Sequence, residues 1–243
     1  MRALLALLLV AGAQPASAQA AEGQLYTPGT FERLEVSGSA QVRLAQGERD
    51  QVFIVGNAQT QKNVQLDLRG DRLVIRPTGS WKFWDGSRLQ IEVLMRNVRQ
   101  LVLSGASDLH APGPLKTRQL DVTISGAGQA RFDALAADSL RFVISGAGEG
   151  RLAGQVRTMQ AAISGKGALQ AEQLRAGTAS VSISGVGHAS FWATDAVGIG
   201  VSGVGTVDYW GPAEARQRSS GMASISYRGE KPPSAPAYAS PSQ

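Results

Sequence analysis

Serine followed by glycine recurs along the 243-residue chain, and serine is the first residue type here that could act as a nucleophile. A nucleophilic serine needs a base within hydrogen-bonding reach and, in one large class of hydrolases, sits in a Gly-x-Ser-x-Gly turn. The chain has no such turn, and its two histidines, His110 and His188, follow the serines of their repeats by six and four residues. They fall in different columns of the repeat, so we predict two outward polar residues and no catalytic site.

Two carboxylates about 5 to 10 Å apart would indicate a glycoside hydrolase. Acidic residues do lie on the repeats, but they scatter across columns: Asp121, Asp133, Glu149, Glu172 and Asp208. Asp133 and Glu172 share a column, yet the repeat between them carries Ala153 at that position. A carbohydrate-active enzyme is therefore the least favoured of the functions that we consider.

Metal and cofactor chemistry has no support in the sequence. The chain contains no cysteine, and the Gly-Gly-x-Gly-x-Asp pattern of calcium-binding repeats does not occur. Gly198-x-Gly200-x-x-Gly203 fits a dinucleotide-binding pattern, but that pattern requires a following helix, and here the repeat of strands continues. We predict no metal, no cofactor and no catalytic residue.

Two tryptophans are the strongest candidates for ligand binding. The residues six and eight positions after each serine are predicted to point outward, because positions five and seven are apolar. Trp192 and Trp210 then lie one repeat apart on the outer surface, beside Asp208, Gln170 and Arg151. Aromatic rings next to polar side chains suit sugar binding, so these residues are candidates for a glycan platform. The favoured interpretation of the two indoles is that they cover backbone or pack under the C-terminal segment.

A second aromatic group lies in the segment Trp81-Lys82-Phe83-Trp84-Asp85-Gly86, between two predicted strands. Trp81, Phe83 and Trp84 either bind a ligand or fold back over the end of the molecule as a cap. Capping is the favoured interpretation.

The spacing of the serines predicts the scaffold that positions these residues. Apolar residues alternate before each Ser-Gly and again after it, as in a strand with one buried face. Units of 18 to 21 residues in such a series indicate rungs stacked along an axis. We predict an all-β, single-stranded parallel β-helix (β-solenoid), right-handed, with about seven Ser-Gly rungs at Ser104, Ser125, Ser145, Ser164, Ser184, Ser202 and Ser220.

Individual columns of the repeat carry further expectations. The glycines of Ser-Gly-x-Gly, such as Gly126 and Gly146, are expected to supply positive φ at a tight corner. The serine hydroxyls are expected to hydrogen-bond from rung to rung. Outward positions before the later serines are small, as at Ser182 and Gly200, and this flat face suggests a homo-oligomer.

Composition divides the chain into five segments. We predict a secretory signal peptide over 1–20, a flexible entry over 21–29, irregular N-terminal strands that cap the solenoid over 30–97, regular rungs over 98–228 and a disordered Pro/Ser-rich tail over 229–243. Gly70-Asp71 is predicted to be a hairpin turn within the N-terminal strands.

The first segment also sets the compartment. Arg2, an apolar run over 3–12 and Ala-x-Ala sites are typical of a cleaved signal, so we predict export to the periplasm or cell surface. The apolar run is too short for a stable anchor, and no transmembrane segment is predicted in the mature chain. A formal net charge of +5, spread along the chain, argues against nucleic acid as a partner.

Several segments together resemble the head-GIN-domain family of exported bacterial envelope proteins, which are labelled autotransporter adhesins. The resemblance rests on the lead-in Phe31 to Val42, on Ile91-Glu92-Val93 to Leu103-Ser104-Gly105, on the iterated Ile-Ser-Gly-Ala-Gly and on the closing stretch Val204 to Pro212. It covers about residues 30 to 228 and implies a β-helix fold and an envelope location. No membrane β-barrel translocator is recognisable after Tyr227.

Three functions remain open from the sequence. The leading hypothesis is a non-enzymatic binding or adhesion module that holds a glycan or envelope polymer on an outward strand face. The second is a structural component that assembles side by side through its small-residue face. The third is the disfavoured carbohydrate-active enzyme.

Overall fold

The computed structural model describes residues 22–78, 88–212 and 214–231. Strands dominate it: β1 (Gly23–Tyr26), β2 (Arg33–Val36), β3 (Ala40–Gln46), β4 (Gln51–Val55), β5 (Val64–Arg69), β6 (Arg72–Pro77), β7 (Leu89–Met95), β8 (Gln100–Leu103), β9 (Asp108–Ile124), β10 (Gln129–Ile144), β11 (Glu149–Ile163), β12 (Lys166–Ile183), β13 (Val186–Val201), β14 (Val204–Trp210), β15 (Arg216–Ser219) and β16 (Met222–Tyr227). One short helix, α1 (Ala58–Lys62), follows β4 and is capped by the Asn57 side chain.

The regular strands stack in parallel, each on the one before it. The row of residues preceding each serine shows the register, because Ile124, Ile144, Ile163, Ile183 and Val201 pair in sequence along the stack. This confirms the predicted all-β parallel β-solenoid. Every coil contributes one layer to a common sheet, so residues at the same repeat position form straight rows along the axis.

The alternating residues predicted to point inward form the core. Phe132, Phe142, Phe191 and Tyr209 are almost fully buried, as are the aliphatic residues before each serine. Phe191 and Tyr209 stack with ring centroids 6.1 Å apart on adjacent coils. A single coil could not bury these side chains, so neighbouring coils stabilise one another.

The glycines at the corners have a different role from the one predicted. Gly126 and Gly146 do not adopt positive φ, whereas Gly38 and Gly105 do. A Cβ on Gly126 would lie 1.9 Å from the carbonyl oxygen of Gly105, and one on Gly203 would lie 2.0 Å from that of Gly185. Glycine is required at these corners because successive backbones approach too closely for any side chain.

The serines at the corners bond mainly to the backbone of the preceding coil. The Ser145 and Ser164 amides donate to the carbonyls of Ile124 and Ile144, both at 2.9 Å. Hydroxyl contact between serines occurs at Ser37 and Ser104, with oxygens 3.1 Å apart. Further along, the hydroxyl of Ser125 makes a long bond of 3.4 Å to the Leu103 carbonyl.

The N-terminal end is closed by antiparallel strands. β2 and β3 stack directly on β8 and β9, and on their other side lie β6 and β7. β5 then pairs antiparallel with β6 across the turn at Gly70, which has φ of 62° and confirms the predicted hairpin. β4 pairs antiparallel with β7, and β1 with β4.

The predicted flexible entry over 21–29 differs from the structure, because β1 occupies its centre. An exposed edge of β4 is available to it, and residues 23–26 add to that edge as an antiparallel strand. The Tyr26 hydroxyl donates to Gln61 Oε1 at 3.1 Å and ties this strand to α1.

The C-terminal end is more exposed. β15 and β16 pair on β13 and β14, and their residues are mostly exposed. Within the described residues, no further strand covers β16. The two ends of the solenoid therefore differ in how their outer strands are covered.

Candidate functional site

A groove runs along the Ser-Gly-x-Gly corners, and we call it the corner groove. The residues two and four positions after each serine point outward, while the residue between them, usually glycine, faces inward. Two parallel ridges of side chains therefore flank a strip of bare backbone across six successive coils. The cavity volume is about 1140 Å³.

The first ridge is apolar at its C-terminal end. Val186, Val204 and Met222 pair in register on adjacent coils and are 51%, 44% and 73% exposed. Earlier in the same row stand Ala127, Ala147 and Lys166. Three large apolar side chains at the strand spacing of about 4.8 Å make a continuous exposed stripe, a feature that commonly marks a binding surface.

The second ridge is polar. Gln129, Glu149, His188, Thr206 and Ser224 lie along it, with donors and acceptors facing the groove. An ion pair between Arg88 and Asp108 lies at the N-terminal end of the groove. The Asp108 carboxylate also accepts a hydrogen bond from the backbone N–H of Gln129 at 3.0 Å. Lys166 interrupts the first row and Ala168 the second. An apolar wall therefore faces a hydrogen-bonding wall over the last three coils, where Val186, Val204 and Met222 lie opposite His188, Thr206 and Ser224.

The two tryptophans of the predicted platform are neighbours in register, on β13 and β14. Trp192 is only 7% exposed, which differs from the expected open position, and Trp210 is half-buried. The ammonium of Lys231 lies 5.7 Å from the Trp192 ring centroid and 5.5 Å from that of Trp210. It also donates to the Glu172 carbonyl, so the C-terminal segment covers the indoles.

The polar residues of that platform are held in pairs. Arg151 and Gln170 both contact Glu149 Oε1, at 3.0 and 2.8 Å. Asp208 accepts from Arg228 Nε at 2.8 Å. The three predicted polar side chains line one face of the solenoid, and each is already engaged with a neighbour.

Beyond the row that contains Arg151, Gln170 and Asp208, the pairing between coils differs from the predicted register. The register shifts after Phe132, after Arg151 and after Ala171, so the coils bulge at the same bend. Trp192 pairs with Arg175 rather than with Glu172, and the expected shared column of Asp133 and Glu172 does not exist. The bulges arise because coils of unequal length must still meet in register on either side of the bend.

Asp133 instead belongs to a local cluster. Its carboxylate contacts Arg131 Nε at 2.7 Å and His110 Nε2 at 2.8 Å. Partial burial raises the pKa of Asp133, but the hydrogen bonds and charges of Arg131 and His110 outweigh it and hold the pKa below its ordinary value. The cluster joins adjacent coils on the outer face.

Other predicted features fall outside this geometry. Trp81, Phe83 and Trp84 lie outside the described residues, as does the predicted signal peptide over 1–20. Across 22–78, 88–212 and 214–231, no group of three His, Asp or Glu side chains converges as metal ligands. In the same ranges the single helix is far too short to cross a bilayer.

Reading the sequence for outward strand faces missed the corner groove. The signal was present at the variable position of Ser-Gly-x-Gly, which changes from alanine at Ala127 and Ala147 to valine at Val186 and Val204. Bulky apolar residues at an exposed corner have no packing role, and this distinguishes them from the core rows.

A family model described as "Putative auto-transporter adhesin, head GIN domain" matches residues 30–213. Among solved structures, one described as a putative adhesin from Bacteroides fragilis is 22% identical, with a TM-score of 0.81 over 89% of this chain and 100% of that chain. A putative adhesin from Parabacteroides merdae is 19% identical, with a TM-score of 0.67 over 86% and 97%. One described as a putative lipid binding protein from Parabacteroides distasonis is 17% identical, with a TM-score of 0.64 over 86% and 97%. At these identities the likeness shows the fold alone, and no curated protein matches the chain.

Proposed function

Because the chain belongs to the head GIN domain family of "putative auto-transporter adhesins", we propose that it is an exported, non-enzymatic adhesion module that holds a glycan or similar envelope polymer in the corner groove. The observation that carries the proposal is the exposed stripe of Val186, Val204 and Met222 facing a polar ridge. Apolar faces of sugar rings pack on the stripe, and their hydroxyls bond to the opposite ridge.

The repeat of the groove supports a polymer rather than a small molecule. Each of the last three coils presents one apolar and one polar residue to the groove, so these subsites recur at about 4.8 Å along the axis. A chain of repeating units can contact several of these subsites at once, and its total affinity then exceeds that of any single contact.

The test is co-sedimentation of the mature protein with purified envelope fractions. Val186→Ser/Val204→Ser/Met222→Ser should reduce binding at least tenfold, since burial of each such side chain contributes about 1.5 kcal/mol or more. The matched control is Leu25→Ser/Leu68→Ser, which removes apolar side chains exposed at the opposite end. Equal binding by wild type and the triple variant would exclude the corner groove.

The class of ligand is tested on the envelope fraction itself. Periodate cleaves the diols of sugars, so treatment of the fraction should abolish pelleting, whereas digestion with protease should leave it intact. The reverse pattern would identify a protein ligand.

Export is tested separately. Cleavage after Ala18 or Ala20 would be seen as a mature N-terminus at Gln19 or Ala21 in the exported protein. An intact N-terminus on protein retained in the cell would contradict the proposal.

The tryptophan platform is a second proposed glycan surface. It is favoured by the register of Trp192 and Trp210 and opposed by the covering Lys231. If the platform binds glycan after the C-terminal segment moves, Lys231→Ala should raise affinity and Trp192→Ala/Trp210→Ala should abolish it. If the indoles serve packing, both changes lower stability and leave binding unaltered.

Self-assembly is the rival from another class, and the exposed edge of β16 favours it. Sedimentation velocity at micromolar protein decides this point. A monomer would exclude it, whereas an oligomer that Ser182→Arg and Gly200→Arg disrupt would place the contact on the small-residue face.

A further inference from the structure

A second groove lies at a different bend of the coils and shares no lining residue with the corner groove, and we call it the return groove. It is formed where the chain turns back toward each serine-bearing strand, five to nine residues before the serine. Its volume is about 1130 Å³. Five cationic side chains and two carboxylates line it, a formal excess of three positive charges.

The two carboxylates are already paired. Glu32 contacts Arg99 at 3.4 Å and Asp138 contacts Arg157 at 2.8 Å. Lys116, Arg118 and Arg175 are exposed, and within the described residues they form no ion pair. These three side chains carry the excess charge of the groove.

The register spaces these charges along the axis. Lys116, Ala136, Gln155 and Arg175 pair in one row on four successive coils. At the strand spacing, Lys116 and Arg175 are about 14 Å apart. One carboxylate or sulfate cannot reach both, whereas successive charges of one extended chain can.

We propose that the return groove binds a linear acidic polysaccharide whose charged groups are carboxylates, sulfates or phosphates. Guanidinium groups hold such anions through paired hydrogen bonds, and the lysine acts as a further point charge. The small residues Ala136 and Ala137 leave room for the sugar units between the cations. This site is separate from the corner groove and selects charged glycans.

The lining argues against the other polyanions. None of its residues is aromatic, so it has no platform on which the bases of single-stranded nucleic acid could stack. The cations surround a concave groove, which fits a chain better than the planar surface of a membrane.

The experiment measures binding of the full mature protein to dextran sulfate, to polygalacturonate and to uncharged dextran by fluorescence anisotropy. Wild type should bind the acidic polymers, more weakly as salt is raised, and should not bind dextran. Lys116→Ser/Arg118→Ser/Arg175→Ser should weaken binding at least tenfold. The control, Arg49→Ser/Arg141→Ser/Arg218→Ser, removes the same charge outside the groove and should change the affinity less than twofold.

Three results would overturn the proposal. Equal losses in the two triple variants would mean that net charge alone attracts the polymer. Undiminished binding by the groove variant would place the site elsewhere, and tighter binding of an oligodeoxythymidylate than of either acidic polysaccharide would identify a nucleic-acid site. The corner-groove variant should bind dextran sulfate like wild type, so failure of one proposal is distinguishable from failure of the other.

Discussion

The N-terminal and C-terminal coils have the same interior and different exteriors. Inside, Leu120 and Ile124 are buried in the same way as Val197 and Val201. Outside, the corner row carries Ala127 in the early coils and Val204, 44% exposed, in the late ones. Stacking fixes what points inward, because each coil must fit the next. The outward rows are free of that constraint, and function can be built there.

The largest expected loss of stability comes from substitutions at the corner glycines, which both halves contain. Gly126→Ala and Gly203→Ala should each cost more than about 5 kcal/mol or prevent folding, since the new Cβ would meet the carbonyl of the preceding coil. Gly200→Ala is the matched control, because nothing lies within 4 Å of its added Cβ and its φ is not positive. Its expected cost is below about 1 kcal/mol.

Chemical denaturation followed by circular dichroism measures all three glycine variants. If Gly126→Ala lowered the free energy of unfolding strongly and Gly203→Ala only slightly, the two halves would differ in backbone packing as well as in surface.

The shared core predicts the next effect. Phe132→Ala in an early coil and Phe191→Ala in a late coil should each lower the free energy of unfolding by about 3 to 5 kcal/mol, because both rings are almost fully buried. Val204→Ala, in the exposed row of the same late half, should change it by less than about 0.5 kcal/mol. Two resolved transitions for Phe191→Ala, with one for Phe132→Ala, would show that the C-terminal coils unfold independently of the others.

Sequence periodicity was sufficient for the fold because the coils are repeated. Alternating apolar residues around each Ser-Gly gave the inward rows and the parallel stacking, and Gly70-Asp71 gave the hairpin. The reason for Gly126 could not be derived, because a close approach between coils depends on packing and positive φ is the more common use of glycine. β1 was missed because its pairing partner is distant in the chain.

The candidate site was harder to predict for a physical reason. Side chains alternate between inward and outward positions within a strand, so the register of Trp192 with Trp210 could be derived from the sequence. This alternation is interrupted at a bulge, and Glu172 therefore does not pair with Trp192. Packing of the indoles under the C-terminal segment was one of the two interpretations of the sequence, but Lys231 as the covering residue depends on a contact across the chain that no local pattern encodes. The corner stripe could have been found by reading the variable position down the repeat.

The smallest expected effect is a pH-dependent contribution to stability from Asp133, on the outer face of the early half. The pKa of Asp133 is lower in the folded protein than its ordinary value, so folding favours the ionised carboxylate. The carboxylate's contribution to the free energy of unfolding is fully present above its pKa in the unfolded chain, about 3.9. It is lost as the pH falls through the lower pKa of the folded protein. Asp133→Asn should therefore cost at most about 1 kcal/mol near pH 5, as partly exposed ion pairs do, and less near pH 2.

The measurement is urea denaturation of wild type and Asp133→Asn at steps between these two pH values. Ser226→Ala is the control, because it lies on the corresponding outward strand face of the last coil, in the row of Arg131, and replaces a group that does not titrate in this range. Its difference from wild type should not change with pH. If the Asp133→Asn difference were equally flat, the contacts with Arg131 and His110 would contribute nothing to stability. The early outer face would then be as free of structural constraint as the late one.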